Sequence, residues 1–370
     1  MTPAGSLRAE DLDTPAILID LDIMERNLAR VASYASEHKL RLRPHTKTHK
    51  IPALARKQIE WGAAGLTVAK VGEAEVMLAA QPTDILVAFP IMGARKLDRL
   101  VSVARNTSVT VALDSEEAAR ELSIAAKNAG IEIGVLAETD VGLGRVGVEP
   151  GQPLRQLIET IRRLPNLRWR GIAFYPGQIK TLDETGEQEF ERLSCLLDGM
   201  LADLARADLH PEIVSGGSTP TLFCSHRLPG VNEIRPGTYI FNDRNTVLSG
   251  ACDWKDCAAS ILTTVVSTAK PGQFIVDGGS KTFSSDRPSA AGEVSFGRVV
   301  EAPETVFARM NEEHGFIELR DSARRFALGD RVRIIPNHIC VAMNLHECVY
   351  GVRGNAVEQV WRVEARGKLQ

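Results

Sequence analysis

Ser108-Val-Thr-Val-Ala-Leu-Asp114 is an apolar, β-branched run, and Ser115-Glu-Glu-Ala-Ala-Arg-Glu-Leu-Ser-Ile-Ala-Ala-Lys-Asn-Ala-Gly130 follows it directly. A second apolar run, Glu132-Ile-Gly-Val-Leu-Ala-Glu-Thr139, comes next. The middle segment opens on a capping-type serine, carries Glu116 and Glu117 in its first turn and stops at Gly130, so it reads as a helix with both ends marked. Two strands joined by a helix form a parallel βαβ unit. The same alternation extends in both directions, with strands expected at Leu40–Pro44, Gly65–Ala69, Asp84–Phe89, Arg168–Tyr175, Glu212–Ser215 and Glu233–Arg235. About eight such units over residues 22–245 match a (β/α)8 barrel. A doubly wound open sheet is the competing arrangement, but the early strands lack its Gly-rich dinucleotide fingerprint.

Beyond residue 246 the texture changes. Ala258–Val266, Gln273–Val276, Glu293–Val300, Arg331–Ile335, Glu347–Val352 and Val357–Val363 are short β-rich runs separated by Gly, Pro and Asp. They predict a second, mostly antiparallel β domain over 246–370, to which 1–21 is added because Pro15-Ala-Ile-Leu-Ile-Asp20 is a candidate partner strand. The 370 residues suit a barrel with such an appendage.

Composition narrows the function class. The chain is 44% hydrophobic and 25% charged, with a formal net charge of -3 and no block of like charge. That argues for a folded protein acting on small molecules, without the basic footprint of a nucleic-acid binder. No apolar run approaches the ~20 residues that span a bilayer. Met1-Thr-Pro-Ala-Gly-Ser-Leu-Arg8 lacks the pattern of a secretory signal. The six cysteines are scattered without a CxxC pair, which fits free thiols in a reducing cytoplasm.

Three constellations carry chemistry. In Arg43-Pro-His-Thr-Lys-Thr-His-Lys50, Lys47 stands past the first barrel strand, where barrel active sites are built. Desolvation or a crowd of cations (Arg43, His45, His49, Lys50) would lower its pKa and make it an imine-forming nucleophile. A solvated basic loop explains the same residues. Val214-Ser-Gly-Gly-Ser-Thr-Pro-Thr221 offers backbone N–H groups and hydroxyls to a phosphate, or forms an ordinary turn. In Pro336-Asn-His-Ile-Cys340, an extended strand would point His338 and Cys340 to one face, giving imidazole and thiolate to a divalent metal. A packed histidine beside a buried thiol is the plainer alternative. Arg145 after one strand and Tyr175 after another are further candidates for anion and ring contacts.

Taken together, the chain resembles the fold-type III pyridoxal-phosphate enzymes, in the metal-activated branch of D-threonine aldolase and D-serine dehydratase. The resemblance runs through Asp13-Thr-Pro-Ala, Arg43-Pro-His-Thr-Lys47, Asp140-Val-Gly-Leu-Gly-Arg145, Tyr175, Gly217-Ser-Thr, Pro236-Gly-Thr-Tyr239, Asp277-Gly-Gly, Glu313-His-Gly315 and His338-Ile-Cys340. It implies an alanine-racemase-type (β/α)8 barrel and pyridoxal 5'-phosphate as cofactor. Lys47 would be the Schiff-base lysine, with Lys47 and Tyr175 catalytic. Gly217, Ser218, Thr219 and Tyr239 would serve the cofactor phosphate. His45, Arg145 and Tyr175 would line the cofactor, Arg235 would meet the pyridine nitrogen, and His338 and Cys340 would bind Zn²⁺, Mn²⁺ or Mg²⁺. The implied activity is a cytoplasmic, homodimeric lyase of D-β-hydroxy-α-amino acids, its site drawing on both domains.

D-Threonine aldolase, cleaving its substrate to glycine and an aldehyde, is placed ahead because the C-terminal match, through Asn344-Leu-His-Glu347 and Val360-Trp-Arg-Val-Glu-Ala-Arg-Gly367, is longer. A D-serine or D-3-hydroxyaspartate dehydratase, giving a 2-oxo acid and ammonia, is the alternative, and an amino-acid racemase a more distant one. The His-x-Cys pair and Gly217-Ser-Thr-Pro-Thr221 resemble the dehydratases. The histidine that aldolases carry shortly after the tyrosine is absent here, since none occurs between His49 and His210.

Overall fold

In the computed structural model, which describes residues 7–288 and 295–370, the chain divides into two compact units. One comprises the residues up to Arg30, Thr48–Ile51 and Thr238–Arg366; the other comprises Val31–Lys47, Pro52–Gly237 and Gly367–Gln370. The first strand, β1 (Ala16–Asp20), belongs to the former.

The second unit holds eight parallel strands. They are β2 (Arg41–Leu42), β3 (Leu66–Val68), β4 (Asp84–Val87), β5 (Ser108–Leu113), β6 (Ile133–Glu138), β7 (Leu167–Ala173), β8 (Ile213–Gly216) and β9 (Glu233–Ile234). Each pairs with its neighbour in chain order from β3 to β9, and β9 returns to β2. Main-chain bonds close the remaining seam: Thr46 N–H donates to Thr67 O and Thr67 N–H to Pro44 O, each at 2.9 Å. The sheet is therefore the expected barrel of alanine-racemase type, and every barrel strand expected from the sequence is present. β4 to β8 supply Leu86, Ala112, Leu136, Ala173 and Ile213, one each, to a single packed cluster.

The helix between β5 and β6, Glu116–Ala129, obeys its sequence signals. The Ser115 hydroxyl accepts from Ala118 N–H, and Gly130 takes a left-handed φ of 67° that ends the helix. Among the described residues no helix is long and apolar enough to cross a membrane.

The other unit adds β10 (Ala259–Ser267), β11 (Gln273–Val276), β12 (Gly297–Val299), β13 (Val306–Met310), β14 (Gly315–Glu318), β15 (Arg331–Pro336), β16 (Cys348–Arg353) and β17 (Ala356–Arg362). The pairing is antiparallel except between β1 and β16. β1 does insert into this sheet, between β10 and β16, and Leu18, Leu262, Val352 and Val357 share one core with Ala9 and Leu12. β13 and β14 were not expected from the sequence. Glu293 and Val294 of the strand expected at Glu293–Val300, and Met1–Ser6 of the N-terminal reading, lie outside the described residues.

Candidate active site

Lys47 follows β2 in a turn where its N–H approaches His45 Nδ1 at 3.4 Å. The side chain is exposed, and its amine makes no hydrogen bond or ion pair among the described residues. The proposed cation crowd does not form. Arg43 is buried, its Nε 2.9 Å from Glu233 Oε2 and its Nη1 2.9 Å from Asp84 Oδ1, so its charge is neutralised in the barrel core. Lys50 is buried and reaches the Ala365 carbonyl at 3.4 Å, while His49 Nδ1 accepts from Ile51 N–H. Lys47 keeps its position past a barrel strand, while Arg43, His49 and Lys50 are engaged elsewhere.

The mouth of the barrel gathers Glu138, Ser215 and the residues just past the strand ends. Asp140 accepts from the N–H groups of Gly142, Leu143 and Gly144, which fixes the loop after β6. Arg145, at the end of that loop, lies over the Tyr175 ring at 4.8 Å. Arg235 donates to the Ser215 hydroxyl at 2.5 Å and to the Phe174 carbonyl at 2.9 Å. Ser215 in turn donates to Glu233 Oε1 at 2.8 Å, and the other oxygen of Glu233 holds Arg43. A chain of charge-assisted bonds thus runs from the barrel core to Arg235. Burial pushes the Arg235 guanidinium down, against the pull of Glu138 and Glu233.

Glu138 itself was not selected from the sequence. Burial raises its carboxyl pKa, opposed by Arg235 and Arg145, and Oε2 is buried without a hydrogen-bond partner among the described residues. A titratable residue closing a barrel strand was the signal available for it. Gly217 takes a φ of 99°, a left-handed value that glycine adopts freely. The Ser218 hydroxyl pairs with Thr221 Oγ1 at 3.0 Å, leaving a compact turn ahead of Leu222–Arg227.

In the other unit the two residues expected to bind a metal, His338 and Cys340, are brought together by a different geometry from the one expected. β15 ends at Pro336; His338 is the N-cap of the helix Ile339–Leu345, and Cys340 lies in its first turn. The two residues do meet, but through a strand-to-helix turn and not as same-face neighbours of a strand. His338 Nδ1 lies 3.0 Å from Asp243 Oδ2, which also accepts from Ile339 N–H. Asp243 is fully buried and caps Arg244–Leu248 through Thr246 N–H. The Cys340 sulfur lies 3.3 Å from Thr48 Oγ1 and 3.8 Å from Thr238 Oγ1. The charge of Cys340, and then the bond to Asp243, raise the His338 pKa well above its ordinary value despite burial. Tyr239 is buried in the turn Thr238–Ile240 of this unit.

The barrel strands and the later strands match known families separately. Residues 19–245 match the family described as "Alanine racemase, N-terminal domain" and residues 258–352 the one described as "Putative serine dehydratase domain". The chain belongs to the fold-type III pyridoxal-phosphate enzymes. It is 35% identical to a D-threo-3-hydroxyaspartate dehydratase of Delftia sp. (strain HT23), over 95% of this chain and 97% of that one. A crystal structure of D-threonine aldolase from Filomicrobium marinum superposes with a TM-score of 0.92, at 31% identity and covering 99% of both chains. A metal-free cysteine-to-alanine variant of a D-threo-3-hydroxyaspartate dehydratase gives 0.86, at 33% identity and covering 95% and 98%.

The residues present fit both groups that the family implies. An amine without partners among the described residues, a half-buried arginine held from the core and a glycine-opened turn suit pyridoxal phosphate. With Nδ1 of His338 bonded to a carboxylate, Nε2 is the nitrogen available to a cation, the arrangement that orients metal-binding histidines. Among the described residues no cluster of three or more His, Cys, Asp or Glu is gathered for a metal. The pair would therefore leave positions to water or substrate, as catalytic metals require.

Proposed function

We propose that the chain is a pyridoxal-phosphate- and divalent-metal-dependent lyase of D-β-hydroxy-α-amino acids that removes water, giving a 2-oxo acid and ammonia. The observation that carries this reading is the His338–Cys340 pair, set by Asp243. In the solved variants of the related dehydratase, the substituted residues are likewise a histidine and a cysteine two positions apart. Lys47, Tyr175, His45, Arg145, Arg235, Gly217, Ser218, Thr219 and Tyr239 would hold the cofactor, and His338 and Cys340 the Zn²⁺, Mn²⁺ or Mg²⁺.

When bound, the cofactor supplies an electron sink for charge left at Cα, and the cation supplies Lewis acidity toward the β-oxygen. The chain's own groups do the rest. Lys47 Nζ takes the Cα proton. Arg235, held by Ser215 and the Phe174 carbonyl, keeps a fixed positive charge in the barrel mouth. Arg145 lies over the Tyr175 ring at 4.8 Å and adds a second cation beside it.

Dehydration is placed ahead of aldol cleavage, reversing the order drawn from the C-terminal match, because of Gln178. Aldol cleavage needs a base for the β-hydroxyl proton. In the segment where aldolases carry a histidine, Gln178 spends its amide N–H on the Val141 carbonyl at 2.8 Å and offers no basic nitrogen. Aldol cleavage stays as the second reading, favoured by the likeness to D-threonine aldolase along the whole chain.

The test is incubation of the cofactor- and metal-loaded protein with D-threonine, D-serine and D-threo-3-hydroxyaspartate, with product analysis. We expect ammonia and 2-oxo acids. Glycine with an aldehyde would replace this reading by the aldolase one. Neither product from any of the three would overturn both.

A further inference from the structure

Tyr34 closes the helix Leu21–Glu37, and His38 N–H still bonds the Tyr34 carbonyl at 3.1 Å. That spacing of four sends both rings to one side of the chain. There they meet the short helical turn Leu222–Arg227, which leads directly out of Gly217-Ser-Thr-Pro-Thr221. The His226 ring stacks on His38, with centroids 3.8 Å apart and planes 7° from parallel. Buried Tyr34 adds two bonds. Its hydroxyl oxygen accepts from the His226 main-chain N–H at 3.1 Å and lies 2.9 Å from His226 Nδ1. The hydroxyl's own proton is then left for Nδ1, which makes Nδ1 the acceptor.

The next residue back carries the contact to the turn before it. Ser225 is fully buried, and its hydroxyl donates to the Thr221 carbonyl at 3.1 Å. A Cβ on Gly217 would sit 3.2 Å from the same hydroxyl. Thr221 Oγ1 in turn accepts from Ser218 N–H at 3.2 Å. Whatever fixes residues 225 and 226 therefore fixes Gly217 and Ser218.

We propose that Tyr34 is a positioning residue that clamps this turn through His226, and that protonation of the stacked imidazoles opens the clamp. The proposal rests on the reading in which Gly217, Ser218 and Thr219 hold the cofactor phosphate. A proton on Nδ1 removes the acceptor that Tyr34 uses, and charging both rings sets two cations face to face. The surroundings do not cancel that repulsion. Arg227 follows on the same turn, bonded to Glu187 of the helix Glu184–Arg206 at 3.1 and 2.8 Å. Glu37 precedes His38, Lys39 follows it, and Cys224 shares the turn. Burial, then His38 and Arg227, push the His226 imidazole down against the pull of Glu37. A histidine pushed down on folding leaves the clamp whole above the ordinary histidine range and weakens it as the pH falls through that range.

The experiment titrates the full-length protein, stripped of cofactor, with pyridoxal 5'-phosphate and separately with pyridoxal, which lacks the phosphate. Affinity is read from absorbance at about pH 8 and about pH 5.5 for the wild type, Tyr34→Phe and His226→Asn. At the higher pH, Tyr34→Phe should bind pyridoxal 5'-phosphate on the order of fivefold more weakly, the effect of one net hydrogen bond, and pyridoxal as the wild type does. His226→Asn keeps an acceptor for Tyr34 but cannot titrate, so its affinity should fall less on acidification than that of the wild type. Equal weakening toward both ligands in Tyr34→Phe would make the residue a support of the fold and overturn the proposal. Unchanged affinity in Tyr34→Phe, or a wild-type response to acid in His226→Asn, would overturn it too. No uptake of either ligand by the wild type is a separate result, in which the cofactor reading fails and the clamp's role with it. Turnover is not measured, so the choice between dehydration and aldol cleavage does not enter.

Discussion

Asp243 shows how one side chain sets the chemistry of another. Its carboxylate is fully buried, yet it accepts from His338 Nδ1, Ile339 N–H and Thr246 N–H, so its desolvation is offset. The bond to Nδ1 fixes which nitrogen of His338 carries the proton and which would be left to the proposed cation. Asp243→Asn presents an amide that cannot accept from all of these donors or balance a cation. We expect metal affinity to fall by about 10–100-fold, measured by competition with a chelator. Loss of charge at the helix N-terminus should cost about 0.3–1 kcal/mol of stability at the same time. Unchanged metal affinity with lowered stability would reduce Asp243 to a cap. From the sequence, the local part of this was readable: Asp243-Arg-Asn-Thr246 has capping spacing. The contact with a histidine 95 residues later was not, because nothing in either segment announces the other.

At the scale of elements, the barrel is pinned by charges inside it. Arg43 bridges Glu233 of β9 to Asp84 of β4, and Arg170 of β7 reaches the other Asp84 oxygen at 3.0 Å. Gly65 makes room for this: a Cβ there would sit 2.6 Å from Arg43 Nη1. Glu233 is fully buried, and besides Arg43 its ion partner is Arg41 at 3.7 Å. Arg43→Met should therefore destabilise the fold by about 3–5 kcal/mol, seen as a lower urea midpoint, because it strands a buried carboxylate. Adding Glu233→Gln should recover part of the loss; no recovery would mean that packing, and not charge, is what Arg43 contributes. Strand positions were readable throughout the barrel because β-branched runs between helical stretches give a strong periodic signal. β13 and β14 were missed because Val306–Met310 and Gly315–Glu318 are short and flank the charged Glu312-Glu313 corner. His338 and Cys340 come together by a different route from the one the spacing suggested: that spacing suited a strand, and the chain turns into a helix after Pro336.

On the scale of the whole molecule, apart from Tyr239, the two compact units carry different halves of the proposed chemistry, and variants can separate them. Lys47 and the barrel-mouth arginines belong to one unit, His338, Cys340 and Asp243 to the other. The chain passes between the units at Lys47–Thr48, and Thr48 is the residue whose hydroxyl meets the Cys340 sulfur. If Lys47 alone attaches the cofactor, Lys47→Ala should abolish borohydride-fixed cofactor on the chain while leaving metal uptake intact. If the metal acts only on the β-oxygen, Cys340→Ala should abolish lyase activity while the bound cofactor keeps its absorbance. The informative comparison is the double one. Each loss should be confined to its own measurement, because the groups that would fix the cofactor and those that would bind the cation share no side chain. Full activity in Cys340→Ala would remove the metal from the proposal and return the racemase reading, which has no need of it. Loss of cofactor absorbance in Cys340→Ala would instead show that the thiol supports the barrel site through Thr48, and that the two sets act as one.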